Sequence, residues 1–241
     1  MANKRSNPFF QFKQFTVWHD KCGMKVGTDG VLLGAWASVG DAKRILDIGT
    51  GTGLVALMLA QRASQRASIT ALEIDESAYE QAKENITRSP WQDLIEVFHQ
   101  DFQSFRSLTK FDVIVSNPPY FMNSLASPDR QRNIARHNGS LTYHGLMKGV
   151  SQLLNKGGLF TVVIPTDAVA VLKGAAAEYN LYPIRLLNVI TRSGGDPKRT
   201  LVSFSFVDKE CVVEELLIES ARHQYSEEYI RLTKDYYLYM E

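Results

Sequence analysis

The residues with the clearest chemical potential are Asn117-Pro118-Pro119-Tyr120. A planar, conjugated NH2 group is a poor nucleophile because its lone pair is delocalised. Two fixed acceptors, the Asn117 side-chain oxygen and the Pro118 carbonyl, can accept from its two N–H groups and favour a pyramidal nitrogen. The two prolines hold that carbonyl rigidly. Tyr120 offers a ring on which a flat substrate stacks, and Phe121 offers a second. This chemistry needs an electrophile opposite the amine but no metal and no covalent nucleophile. His137 and His144 need no part as bases, because an alkylated ammonium is acidic enough to lose its proton to water.

A second group lies upstream. Asp47-Ile-Gly-Thr-Gly-Thr-Gly53 stands where a short apolar strand gives way to a helical pattern. Glycines at 49, 51 and 53 permit a tight turn and close ligand approach. Their spacing is one residue shorter than the dinucleotide fingerprint, so the turn is not laid out for a pyrophosphate. It suits S-adenosylmethionine, which carries no phosphate and has a sulfonium cation that Asp47 can help orient. Glu73 follows Gly53 by 20 residues and ends the next strand, the place of a ribose-hydroxyl acceptor. Asp101 closes a third strand, positioned to accept from an adenine amino group, with Phe102 as its apolar neighbour. The predicted cofactor set is therefore Asp47, Gly49, Thr50, Gly51, Gly53, Glu73, Asp101 and Phe102. Asn117 counts in both sites.

The elements that must position these residues read as a βαβ series. Strands are expected at 44–49, 68–74, 94–98, 111–116, 159–164, 184–190 and 201–207. Helices are expected at 28–36, 54–60, 141–154 and 166–179. Another, with Ser77 as N-cap and Glu80 completing a capping box, runs to about Ser89. Gly157-Gly158 is read as a helix break. Only ten residues, 191–200, join the last two strands, which suits an antiparallel hairpin. Residues 9–18 suggest a small hairpin, 210–218 another β-like run, and 226–237 a short helix. The long polar stretch 121–140 has no periodicity, as functional loops often do not. The fold class follows: α/β, a Rossmann-like seven-stranded sheet, mostly parallel with an antiparallel terminal hairpin, and helices on both faces. One domain is expected over 1–241, with an N-terminal cap to about residue 40 and a C-terminal extension over about 208–241.

Composition narrows the setting. Hydrophobic residues are 44% and charged residues 22% of 241, an ordinary globular balance. No apolar run reaches the length of a membrane span, and Lys4 and Arg5 are not followed by a signal-peptide core. Two distant cysteines, Cys22 and Cys211, predict no disulfide and a cytoplasmic setting. Net charge is only +1, but its distribution is uneven. Residues 130–165 hold five basic residues (Arg130, Arg132, Arg136, Lys148, Lys156) and no acid, while acids gather near the C-terminus. Such a gradient can draw a polyanion to one face. Arg130, Arg132 and Arg136 directly follow the Tyr120-Phe121 rings and are the candidate phosphate contacts.

The set Asp47–Gly53, Glu73, Asp101 and Asn117–Tyr120 resembles the class I S-adenosylmethionine-dependent methyltransferases, in their amino-methylating Asn/Asp-Pro-Pro-Tyr/Phe branch. The stretch Met24–Trp36 (MKVGTDGVLLGAW) is similar to the bacterial tRNA(Val) adenine-N6 methyltransferase family, as are Arg136-His137 and the Thr-Lys-Asp-Tyr run at 233–236. That resemblance covers nearly the whole chain. It implies methylation of the adenine just 3′ of the anticodon and a cofactor cap that includes Thr28 and Asp29. It also implies tRNA as the partner; a monomer is expected. An unpaired loop adenine costs little to extrude, which suits this chemistry. A protein glutamine methyltransferase and an RNA guanine-N2 methyltransferase share the geometry and stay open, as does a non-enzymatic RNA-binding module. The first commonly carries a separate N-terminal helical domain, for which about 43 residues leave no room. A DNA adenine methyltransferase would add a target-recognition domain that is not evident here.

Overall fold

The computed structural model describes residues 7–23, 25–118 and 141–240. A small antiparallel hairpin, β1 (Phe9–Gln11) and β2 (Thr16–Trp18), precedes α1 (Thr28–Trp36). The βαβ series follows: β3 (Arg44–Ile48), α2 (Leu54–Arg62), β4 (Ser68–Glu73), α3 (Glu76–Thr87), β5 (Ile95–His99) and β6 (Phe111–Ser116). After the undescribed segment come α4 (Tyr143–Leu153), β7 (Leu154–Pro165), a 3₁₀ turn (Thr166–Ala168) and α5 (Val169–Ala177). The chain ends in β8 (Tyr182–Arg192), β9 (Arg199–Ser205), β10 (Val212–Ala221), β11 (Gln224–Tyr225) and α6 (Glu227–Thr233).

Among the described residues nine strands form one sheet in the order β11-β10-β8-β9-β7-β6-β3-β4-β5. The predicted seven are β3 to β9, and the class holds: β9 runs antiparallel to both β7 and β8. The sheet is longer than predicted because β10 docks parallel on the outer side of β8, which would otherwise be an open edge, and β11 pairs with its end. The chain leaves β3 toward β4 and β5, then returns to place β6 on β3's other side. The carboxyl ends of β3 and β6 therefore form a switch point, where open α/β sheets bind ligands.

Strand side chains alternate between two cores. Ile45, Val113, Val115, Val163 and Leu201 face a core shared with α1, α2 and α6. Leu46, Ile48, Ile114, Val162 and Val202 face one shared with α4 and α5. Helices thus cover both faces. The α1–α2 contact is close because Gly34 has no side chain: a Cβ there would lie 2.7 Å from Met58 Cβ.

Three local predictions need correction. Asp75, not Ser77, caps α3, its Oδ1 accepting from Ala78 N at 2.9 Å. The turn after β4 is shorter than expected, so Ser77 already lies in the first helical turn. Gly157 and Gly158 lie inside β7 rather than breaking a helix. A Cβ at Gly158 would approach Asp112 O to 2.8 Å, so the glycine lets β7 pass close to the register shift at Phe111–Val113. Residues 166–179 begin as a 3₁₀ turn before α5. Among the described residues no helix is long and apolar enough to cross a membrane.

Candidate cofactor and substrate site

The turn after β3 takes the shape its glycines allow. Gly49, Gly51 and Gly53 have φ of +69°, +59° and +82°, conformations that a side chain disfavours. The N–H groups of Gly49 and Thr50 both donate to Leu72 O at 2.9 Å, which ties the turn to the end of β4. A Cβ at Gly49 would meet nothing within 4 Å, so the turn faces open space there. Gly53 backs onto α3, where a Cβ would touch Ile86 and Ala82 at 3.4 and 3.5 Å.

Two acids lie beneath this turn, Asp47 at 1% exposed and Glu73 at 7%. Asp47 Oδ2 accepts from Thr50 Oγ1 at 2.6 Å. Desolvation by burial pushes the Asp47 pKa up to about 7. The Thr50 hydrogen bond opposes that shift, the charge of Glu73 adds to it, and the Ala56 backbone N–H opposes it. Glu73 is engaged by backbone. Its Oε2 accepts from Gly51 N at 2.8 Å, and its Oε1 accepts from Ile74 N and Asp75 N at 2.9 Å each. Oε1 is thereby filled, and Oε2 retains one lone pair. Among the described residues neither acid has a cationic partner. Buried carboxylates without a counter-charge are costly, and a cationic ligand is what such a pair fits.

Asp101 lies two residues beyond β5. Its Oδ1 accepts from Gln103 N at 2.9 Å, and its carbonyl accepts from Ser104 N and Phe105 N at 3.1 Å. Phe102 is 6% exposed and its ring lies against α4: a Cβ on Gly149 would come within 2.5 Å of the ring tip. The ring anchors the loop that carries Asp101.

Asn117 is the first residue past β6 and is half-buried, and Pro118 is buried. Ser116 Oγ donates to Ile48 O at 3.0 Å, fastening the end of β6 to the end of β3. The first turn of α1 leans on this point. A Cβ on Gly30 would lie 3.0 Å from Leu54 Cδ2 and 3.8 Å from Asn117 Nδ2. Next to Gly30, Asp29 pairs with Arg199 at the start of β9, Nε to Oδ2 at 3.0 Å, while Thr28 is exposed. The structure thus gathers Thr28, Asp29, Asp47, Gly49, Thr50, Gly51, Gly53, Glu73, Asp101 and Asn117 along the carboxyl edge of the sheet. Pro119, Tyr120, Phe121, Arg130, Arg132 and Arg136 lie outside the described residues.

Sequence reasoning missed Gln81, Asn85, Ser116 and Arg199. A signal existed for the first two. They stand four residues apart on the stripe of α3 that also carries Ala78, Ala82 and Ile86, and both are fully buried.

The family described as Methyltransferase small domain matches residues 27–170, more than half of the chain. A protein of Bacteroides thetaiotaomicron is 68% identical over 236 residues, covering 98% of this chain and 100% of that one. It is named tRNA1(Val) (adenine(37)-N6)-methyltransferase. A protein of Pseudoalteromonas translucida with the same name is 45% identical, covering 96% of this chain and 99% of its own. The chain belongs to the tRNA1(Val) (adenine(37)-N6)-methyltransferase family. The small-domain match opens at Gly27, directly before α1, and closes at Ala170, inside α5. It therefore takes in every described residue of this methyltransferase's candidate site except Arg199. Two solved structures share the fold. A predicted O-methyltransferase from Agrobacterium tumefaciens has a TM-score of 0.64 at 19% identity, covering 86% of this chain and 96% of its own. The glycopeptide N-methyltransferase MtfA, complexed with S-adenosyl-L-methionine, has a TM-score of 0.53 at 14% identity, covering 76% and 90%.

Proposed function

We propose that this protein transfers a methyl group from S-adenosylmethionine to N6 of an unpaired adenine in tRNA, the adenine at position 37 of tRNA1(Val). The observation that carries the reading is the placement of Asn117-Pro118 at the end of β6, next to the glycine turn at the end of β3. An amine acceptor pair and a cofactor turn then share one switch point. The names of the relatives supply the substrate.

The residues present fit the cofactor. Asp47 and Glu73 form a buried acidic pair with no cation beside them among the described residues, and S-adenosylmethionine is cationic. Gly49 opens onto free space, as close approach requires. The remaining lone pair on Glu73 Oε2 can accept from one ribose hydroxyl. Asp101 accepts from the adenine amino group, supported by Phe102, which holds its loop from behind. Thr28 and Asp29 belong to the cap, which the Arg199 pair fixes in place. When bound, the cofactor supplies an electrophilic methyl group.

The chain's own residues orient the amine. Asn117 Oδ1 and the Pro118 carbonyl accept from the two N6 hydrogens, which localises the lone pair toward the methyl group. Pro119 keeps the preceding carbonyl in position, and Tyr120 and Phe121 stack on the base. The product ammonium loses its proton to water. Arg130, Arg132 and Arg136 hold the flanking phosphates, so tRNA affinity falls with salt. The reaction asks for no metal. We take the working form to be a monomer in the cytoplasm, a state that sedimentation analysis tests.

The deciding experiment offers radiolabelled methyl donor with total tRNA, total rRNA or protein extract, then analyses nucleosides by mass spectrometry. N6-methyladenosine in tRNA is expected. Label in rRNA guanosine or in a protein glutamine would replace the reading with the corresponding alternative.

A further inference from the structure

The N-terminal hairpin and the glycine turn meet on one buried amide. Asn85, on α3, is 0% exposed. Its Oδ1 accepts from Trp18 N at 2.9 Å, and its Nδ2 donates to Trp18 O and to Thr52 O, each at 2.9 Å. The partners settle the orientation of the amide, since the reverse would press its oxygen against two carbonyls. One turn earlier, Gln81 Oε1 accepts from Lys21 N at 2.9 Å, and Lys21 pairs with Glu84. Three side chains of α3 therefore lay residues 18–21 along that helix.

Thr52 stands between the last two glycines of the turn. Gly53 packs on α3, and the next residue, Leu54, packs on α1 at Gly30, beside Asn117.

We propose that Asn85 is a positioning residue for the cofactor, holding Thr52, and with it the glycine turn, in fixed relation to the N-terminal hairpin. The inference rests on the reading of that turn as the S-adenosylmethionine site. Glycines permit many backbone states. A hydrogen bond on the Thr52 carbonyl restrains the peptide leading into Gly53. If it is lost, the fraction of molecules with a competent turn drops, and apparent affinity drops by that fraction. The reacting groups at Asn117 are untouched.

The test is the Asn85→Leu variant, similar in volume but unable to hydrogen-bond. Titration calorimetry with S-adenosylhomocysteine is expected to show an affinity about ten-fold weaker or more. KM for the methyl donor should rise in parallel, with kcat at saturating donor unchanged. A folded variant with wild-type affinity would overturn the proposal, as would a fall in kcat at unchanged KM. A readout in the wild-type protein stands independently of how the variant folds. Hydrogen exchange at the Trp18 N–H should slow when S-adenosylhomocysteine is added, and unchanged exchange would also overturn the proposal. Wild-type protein that binds no S-adenosylhomocysteine would instead sink the cofactor reading itself.

Discussion

Gly51 donates its backbone N–H to Glu73 Oε2 at 2.8 Å, joining the middle of the glycine turn to the last residue of the neighbouring strand. The carboxylate that the sequence assigns to a ribose is thus also a structural acceptor for the turn itself. It serves three backbone donors, of which the Gly51 group is buried and has no recourse to water.

Glu73→Ala should therefore do two things. Leaving a buried N–H without an acceptor costs about 1–3 kcal/mol, which lowers Tm by about 3–10 °C in a protein of this size. Cofactor affinity should fall more than ten-fold, because both the turn and the hydroxyl acceptor are lost (roughly 1.4 kcal/mol per ten-fold). Thermal melting and calorimetry measure the two effects. A destabilised variant with wild-type affinity would leave Glu73 a purely structural role.

Asp47 should make cofactor binding depend on pH. Its carboxyl ordinarily titrates at 3.8 and is pushed up to about 7 by burial. Between these values the folded protein keeps a proton that the unfolded chain has released. The stability of the unliganded protein therefore falls as pH rises through that window and levels off above it. A cationic ligand favours the ionised carboxylate. Affinity should rise with pH up to about 7, and below that pH binding should release a proton. Calorimetry in two buffers of different ionisation enthalpy detects the proton. Asp47→Asn should abolish its release, and persistence of the release in that variant would move the effect to another group.

Asn117→Ala should lower kcat by about 10²–10³, the usual effect of removing one transition-state acceptor or donor, while cofactor affinity stays at the wild-type level. Single-turnover methyl transfer separates the two. Undiminished transfer would remove Asn117 from the chemistry.

Gly149→Ala probes the Asp101 loop from a distance. The new Cβ would lie 2.5 Å from the Phe102 ring tip, so the ring must shift and take the loop with it. Overpacking of this kind costs about 1–3 kcal/mol. KM for the methyl donor should rise with kcat maintained, the pattern of lost ground-state binding. A variant that is less stable but has wild-type KM would show that Phe102 does not position Asp101.

How much of this was legible depended on the range of the interactions involved. The boundaries of α1 and β6 match the expected 28–36 and 111–116 residue for residue, because an apolar run meeting a glycine or proline boundary is a local signal. The candidate acids were legible for the same reason: Glu73 and Asp101 follow apolar strands at their ends. The partners of those acids were not legible. Nothing near Glu73 in the chain announces Gly51, 22 residues away. The commitment of the Phe102 ring to Gly149 and the docking of β10 on β8 likewise join distant segments. Asn85, like Gln81, gave a faint signal as a polar residue on a stripe shared with Ala78, Ala82 and Ile86, but its link to Trp18 lies 67 residues away.

The amino-acid sequence by itself determined the alternation that splits the strands between two cores. It also determined the glycines that permit a left-handed turn, and the types of side chain that end each strand. These follow from backbone sterics and periodicity, which act between near neighbours. The tertiary structure alone decided that β6 lies beside β3, that Asp47 and Glu73 are buried together, and that one amide on α3 binds both the hairpin and the turn. Those outcomes depend on which distant surfaces pack together, and on the loss of water that comes with their packing.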